Sequence, residues 1–178
     1  MKKSLILSLF VISLLFVSCS KDDSTTTPTT PKDAIVGTWV SEGANVAFGL
    51  RLVPFKIKKI VATFNENKSY TVVQTDSANV STTLTGTYTN TESTYTDTSS
   101  VYGTKNSKIW NVVANQSTPS AVTATGIYAI SGTAMTYEII QTTPPLSGVN
   151  APTAQGGFGS TTIAGMKYSI YVQKYVKQ

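Results

Sequence analysis

The sequence predicts an all-β domain, an antiparallel up-and-down barrel of eight strands, with a β-sandwich as the alternative. Three observations lead there. From residue 35 onward, short runs rich in Val, Ile, Thr and Tyr alternate apolar and polar positions, the period of strands buried on one face. Turn residues separate these runs at even spacing, as at Asn65-Glu66-Asn67-Lys68 and Ser131-Gly132. No segment keeps a helical period, and only 13 % of residues are charged, too few to give a set of helices their solvated faces. Sequential hairpins and chain length favour the barrel. Eight strands of roughly ten residues close around an interior that holds side chains or one small ligand.

The elements follow in order. Ile35 to Ser41 reads as the first strand. Ile60, Ala62 and Phe64 alternate with Val61 and Thr63, and the turn at 65–68 leads to Tyr70, Val72 and Gln74, a hairpin. Leu84, Gly86 and Tyr88 share one face, opposite a face of threonines. Ile109 to Val113 is a shorter strand. Val122, Ala124, Gly126, Tyr128 and Ile130 line the next, and beyond Ser131-Gly132 the apolar face resumes at Met135, Tyr137 and Ile139, with Glu138 opposite. The last strand is expected over about 167–176, and residues 94–102 would add a ninth if they pair. Residues 44–55, with Val46, Phe48, Leu50, Leu52, Val53 and Phe55, read as a cap on one barrel end or as an extra strand. Lys56, Lys58 and Lys59 behind them are a solvated strand end or a site for an anion or lipid headgroup. Residues 142–166 are too rich in Gly and Pro for a strand, and read as a mobile loop or as a lid over the barrel mouth tipped by Phe158.

The N-terminus carries a different message. Lys2 and Lys3 precede the fourteen residues Ser4 to Val17, all Leu, Ile, Val, Phe or Ser. A spanning helix needs about 20 apolar residues, so this stretch has the dimensions of a signal-peptide core. Leu15-Phe16-Val17-Ser18-Cys19 resembles the lipobox of bacterial lipoproteins, and Cys19 is the only cysteine. The resemblance implies removal of residues 1–18 and acylation of Cys19, which becomes the membrane anchor. Two or three acyl chains hold firmly where one holds marginally. Ser20-Lys21-Asp22-Asp23 resembles the surface-export signal of lipoproteins in some Gram-negative bacteria, so the expected place is the outer membrane, facing the exterior. Residues 19–32 then form a Thr/Pro-rich tether, and residues 33–178 the folded domain.

That domain carries ten basic and seven acidic side chains, a net of +3 without the broad basic stripe that nucleic acid requires. With Cys19 acylated, no thiol remains for a disulfide. The chain has no His. Ser-His-Asp and Cys-His catalysis are therefore closed to it, and so are the usual zinc sites. No Gly-rich loop enters a helix to cradle phosphate. Glu92 and Asp97 are the nearest carboxylate pair, in a Ser/Thr-rich stretch that looks solvated. The expectation is a protein without catalysis, metal or cofactor.

Ile35-Val36-Gly37-Thr38-Trp39 resembles the opening Gly-x-Trp of the lipocalin and calycin superfamily. Phe64 to Tyr70 and Gly126 to Tyr137 are similar to hairpins of bacterial lipocalin-like lipoproteins. The resemblance covers about residues 34–140. It implies that Trp39 closes one end of a barrel. The family often packs an Arg of the last strand on this Trp, whereas here the last strand offers only Lys167, Lys174 and Lys177. Gly-x-aromatic recurs at Gly37–Trp39, Gly86–Tyr88 and Gly126–Tyr128, where the Gly permits a tight bend and the ring packs over it.

Two functions follow. In one, the barrel binds a small apolar or amphipathic molecule through Trp39, Tyr88, Tyr128, Tyr137 and Phe158. In the other, a filled barrel serves structure or interaction and meets a protein or glycan, with Tyr95, Tyr102 and Trp110 as stacking residues. In either case Cys19 anchors the chain. Radiolabelled palmitate should enter the full-length protein and be absent from Cys19→Ala; equal labelling of both would refute acylation at this residue.

Overall fold

The structure, a computed structural model, describes residues 33–178. The strands are β1 (Gly37–Glu42), β2 (Ile57–Phe64), β3 (Ser69–Asp76), β4 (Ser81–Thr96), β5 (Lys108–Thr118), β6 (Val122–Ser131), β7 (Ala134–Thr143), β8 (Val149–Asn150), β9 (Thr162–Ile163), β10 (Met166–Lys167) and β11 (Gln173–Lys177). Strands β1 to β7 pair antiparallel, each with the next, and β11 closes the ring by pairing with both β7 and β1. The barrel is thus eight-stranded, antiparallel and up-and-down. A closed ring has no free edges, which removes the sandwich alternative. Every strand of the ring lies between Gly37 and Lys177, around one interior core, so residues 33–178 hold what a domain needs to fold alone.

Several boundaries differ from the sequence reading, each for a local reason. β1 starts at Gly37 because residues 33–36 form a turn, with the Val36 N–H donating to Asp33 O at 2.9 Å. β4 runs on to Thr96, so residues 94–96 lengthen an existing strand and add no ninth. The last strand is only Gln173–Lys177. Tyr168–Val172 bends away, with the Val172 N–H on Ser169 O and Ile170 O accepting from Gly49 N. Residues 44–55 act as a cap: α1 (Phe48–Arg51) turns Leu50 against the barrel core. The Gly/Pro-rich segment does contain strands: β8, β9 and β10 form a small three-stranded sheet of their own.

Inward positions alternate as the sequence implies. Tyr88, Val112, Tyr128, Met135 and Tyr137 belong to the interior cluster. The outward positions of β5 to β7 are buried as well. Ile109, Ile127, Thr136 and Glu138 are all shielded, because the segments 97–107 and 144–172 lie against the outside of that wall.

The recurring glycines are required by the bend of the sheet. A Cβ at Gly126 would sit 2.1 Å from Glu138 O across the β6–β7 ladder, and one at Gly86 would sit 2.1 Å from Asn115 O. Both contacts are with backbone, which cannot step aside. Gly126→Ala should therefore cost at least about 3 kcal/mol, the upper end of overpacking, in urea denaturation. A loss under about 1 kcal/mol would show that the wall yields.

Candidate functional site

The barrel interior divides into a plugged end and an end with space. Trp39 fills the first. It is buried, its Nε1 donates to Ile35 O at 2.7 Å, and the Lys177 ammonium lies 5.0 Å from its ring centroid. Lys177 also reaches Ala34 O at 3.3 Å. A lysine of the last strand thus takes the place on the Trp where the lipocalin pattern has arginine. Gly37 makes this possible: its φ is +133°, and a Cβ there would meet Lys177 Cε at 2.9 Å.

Tyr88 and Tyr128 complete the plug, tied into a polar cluster at the rim. Tyr88 donates to Asn65 O at 3.1 Å and meets Phe64 edge-on at 5.2 Å. The Asn90 amide donates to Tyr128 Oη at 2.7 Å and to Asp33 Oδ2 at 2.8 Å. The Lys68 ammonium lies 2.8 Å from both Asp33 Oδ2 and Asn90 Oδ1, and 5.1 Å from the Tyr88 ring. Burial pushes the Asp33 carboxyl upward, but hydrogen bonds from Lys68, Asn90 and the Ile35 N–H outweigh it and leave the group below the usual range. Burial, with the negative charge of Asp33, raises the Tyr88 phenol to about 12. Burial raises Tyr128 further, against the opposing bond from Asn90. Trp110 stacks on Tyr128 at 6.1 Å.

Toward the other end lies a cavity of about 170 Å³. Its wall includes Ile60, Phe64, Leu84 and Ile139, with Leu50 and Tyr171 beside it, and no charged residue. The space exists because two cross-strand partners facing inward, Ala114 and Ala124, are small. Its polar groups include the buried phenols of Tyr70, Tyr137 and Tyr175 and the amides of Gln74, Gln116 and Gln173. Burial raises all three phenols above their ordinary value, and neighbouring tyrosines add to the rise at Tyr137. They are therefore neutral, donating groups at any physiological pH. Gln173 Nε2 is buried without a hydrogen-bond partner among the described residues.

Of the residues chosen from sequence, Tyr137 alone lines this cavity. Trp39, Tyr88 and Tyr128 form the plug. Phe158 lies outside the barrel wall, beside Ile109 and Ile127, with its ring 6.0 Å from that of Tyr102. The 142–166 segment is therefore a strap on the outer wall, not a lid over the mouth. Cys19 lies outside the described residues. The stacking trio is not brought together: Trp110 packs inward on Tyr128, Tyr102 outward on Phe158, and Tyr95 is partly exposed. Nor do Glu92 and Asp97 share a partner. Glu92 is 3.7 Å from Lys108, while Asp97 is buried and accepts from the Thr104 hydroxyl at 2.7 Å. Sequence reading missed Tyr175 and Gln173 as cavity residues. Their two-residue spacing at the chain end was the available signal.

The strap is fastened by Glu138. Its carboxylate accepts from the Gly159 N–H at 2.7 Å, the Thr161 N–H at 3.2 Å and the Thr161 hydroxyl at 2.5 Å. Comparison of the chain with protein-family models, curated proteins and solved structures finds no match. The architecture itself, a closed eight-stranded antiparallel barrel, is compatible with a lipocalin-like fold.

Burial raises the Glu138 carboxyl above its ordinary value, against the three bonds it accepts. Between the unfolded value, about 4.3, and the raised native value, the native chain binds more protons than the unfolded one. Stability from this group therefore falls as pH rises through that window. In urea denaturation the wild type should gain on Glu138→Gln as pH drops from 7 to 4. A difference that stays constant would contradict this.

Proposed function

We propose that this chain is a lipoprotein whose barrel takes up one small uncharged molecule without transforming it. In this reading residues 1–18 are a signal peptide, and acylated Cys19 with the 19–32 tether holds residues 33–178 at the outer membrane, facing the exterior. The observation that carries the binding function is the cavity of about 170 Å³ with its apolar wall and neutral polar groups.

The cavity's size and chemistry narrow the ligand. It is smaller than the roughly 300–1,000 Å³ of drug-sized sites and near the ~150 Å³ that admits benzene. A single ring or a short branched chain fits; a long acyl chain does not. An anion would be desolvated without a cation in the wall. An oxygen acceptor on the ligand gains the phenol donors and answers the unpaired Gln173 amide, a group whose isolation costs about 1–3 kcal/mol.

The filled plug of Trp39, Tyr88 and Tyr128 supports the second reading, an interaction protein that meets a protein or glycan at the cell surface. Binding of toluene, acetophenone and benzoate to residues 33–178, followed by ligand-observed NMR, separates the two. Acetophenone should bind about tenfold more tightly than toluene, the worth of one such hydrogen bond, and benzoate most weakly. Ala124→Leu, which fills the cavity, should abolish binding of both neutral rings, and Tyr137→Phe with Gln173→Leu should erase the preference for the ketone. If none of the three binds, the interaction reading replaces this one.

A further inference from the structure

Four large apolar side chains stand in solvent within eight residues at the cavity end of the barrel. Phe48 is 51 % exposed, Leu52 48 %, Val53 76 % and Phe55 56 %. Single exposed apolar side chains are ordinary, but four gathered in one short segment mark an interaction surface. The segment is not loose. Gly49 N donates to Ile170 O at 2.8 Å, Lys56 N to Leu52 O at 2.9 Å, and Ser77 N to Lys56 O at 2.9 Å. The last of these bonds sets the β3–β4 turn alongside, and that turn carries Val80, also exposed. Nor do these four residues lack an inward face to join: Val46 and Leu50 already turn to the core from the same segment. Phe48, Leu52, Val53 and Phe55 are held outward.

The charges within the segment have one sign. Arg51, Lys56 and Lys58 are exposed, and no acidic residue falls between Glu42 and Glu66. The Arg51 guanidinium lies 5.4 Å from the Phe48 ring centroid. Glu42 pairs with Lys59 at 3.4 Å. Asp76, opposite Ile57 in the β2–β3 ladder, is turned to the Ala78 and Val80 N–H groups of its own turn at 2.9 and 2.8 Å and is one negative charge beside three positive ones. Lys58 is bonded to Asn79, a neutral partner that leaves its charge uncompensated.

We propose that this tip docks on an anionic lipid membrane surface. Phe48, Leu52, Val53 and Phe55 enter the boundary between headgroups and acyl chains, and Arg51, Lys56 and Lys58 face the lipid phosphates. Charge decides the occupant. A symmetric contact with a second copy would set three cations against three, whereas an anionic bilayer supplies the missing negative charge along with an apolar layer shallow enough for a short loop. The proposal stands apart from the cavity's ligand and from the anchor, since it rests only on this surface.

The test uses residues 33–178, which lack Cys19, in co-flotation with vesicles of phosphatidylcholine alone or mixed with phosphatidylglycerol. The protein should float with the mixed vesicles, more weakly with the neutral ones, and be released by high salt. Val53→Ser with Phe55→Ser should lower partitioning about tenfold. Arg51→Gln and Lys56→Gln should each reduce the anionic preference about fivefold. All four positions are exposed, so the variants should keep the wild-type Tm and tryptophan fluorescence. No flotation with anionic vesicles, or flotation that these substitutions leave unchanged, would overturn the proposal. A concentration-dependent doubling of mass in solution, abolished by the same variants, would assign the surface to self-association and overturn it as well.

Discussion

Closure of the ring rests on Trp39. In β1 it stands opposite Ala62 of β2 on one side and Lys177 of β11 on the other, so the first and last strands meet at the residue that fills the barrel end. Its indole hydrogen bond to Ile35 O fixes the turn that enters β1, and the Lys177 stem crosses over Gly37 to cover its ring. A buried Trp removes a large apolar area from water, and here that burial requires both ends of the chain at once. Without a disulfide among residues 33–178, this long-range joint does what a covalent staple does in smaller secreted domains.

Filling one end with Trp39, Tyr88 and Tyr128 dictates what the other end can be. The same inward positions farther along β5 and β6 are Ala114 and Ala124, and the volume they leave is the cavity. The two ends also differ in how their polar groups are satisfied. At the plug the Tyr88 phenol is bonded to Asn65 O, the Tyr128 phenol to Asn90, and the Asn90 amide to Asp33 and Lys68. At the cavity the Gln173 amide nitrogen has no partner among the described residues. Buried polar groups in native proteins are overwhelmingly paired, so this contrast within one barrel separates an end whose polar groups are satisfied internally from an end that leaves one donor open.

The β class, the strand count and the inward faces were legible because period-two alternation survives in a barrel with one buried face. Gly37-Thr38-Trp39 correctly announced the closed end. The pattern failed where burial is two-sided. On β7, Glu138 lies opposite the apolar face in the sequence pattern, yet the strap makes it interior, as the 97–107 segment does Thr136, and a local pattern carries no record of distant segments folding back over the wall. Phe158 misled for the same reason: an apolar residue in a Gly-rich stretch marks a contact, but not which side of the wall it touches. Ring residues were recognised as inward, while the distinction between plug and lining depends on depth along the barrel axis. That depth is set by strand stagger, which no single strand encodes.

The strap also explains why a carboxylate occupies the outer wall. Residues 156–161 run as irregular backbone over an apolar surface formed by Ile109 and Ile127, and their N–H groups have no ladder to join. Glu138 supplies acceptors to two of them and to the Thr161 hydroxyl. An apolar side chain there would bury more surface but leave Gly159 and Thr161 unpaired, at about 1–3 kcal/mol each. The carboxylate instead carries a desolvation cost that shows as its raised affinity for a proton. What that cost secures is position. Three donors converge on one charged group, so the segment can sit in only one register on the wall. The β6–β7 ladder behind it, which carries Ala124, Tyr137 and Ile139 on its inner face, is thereby braced from outside. The cavity keeps its shape through packing on both sides of a single sheet.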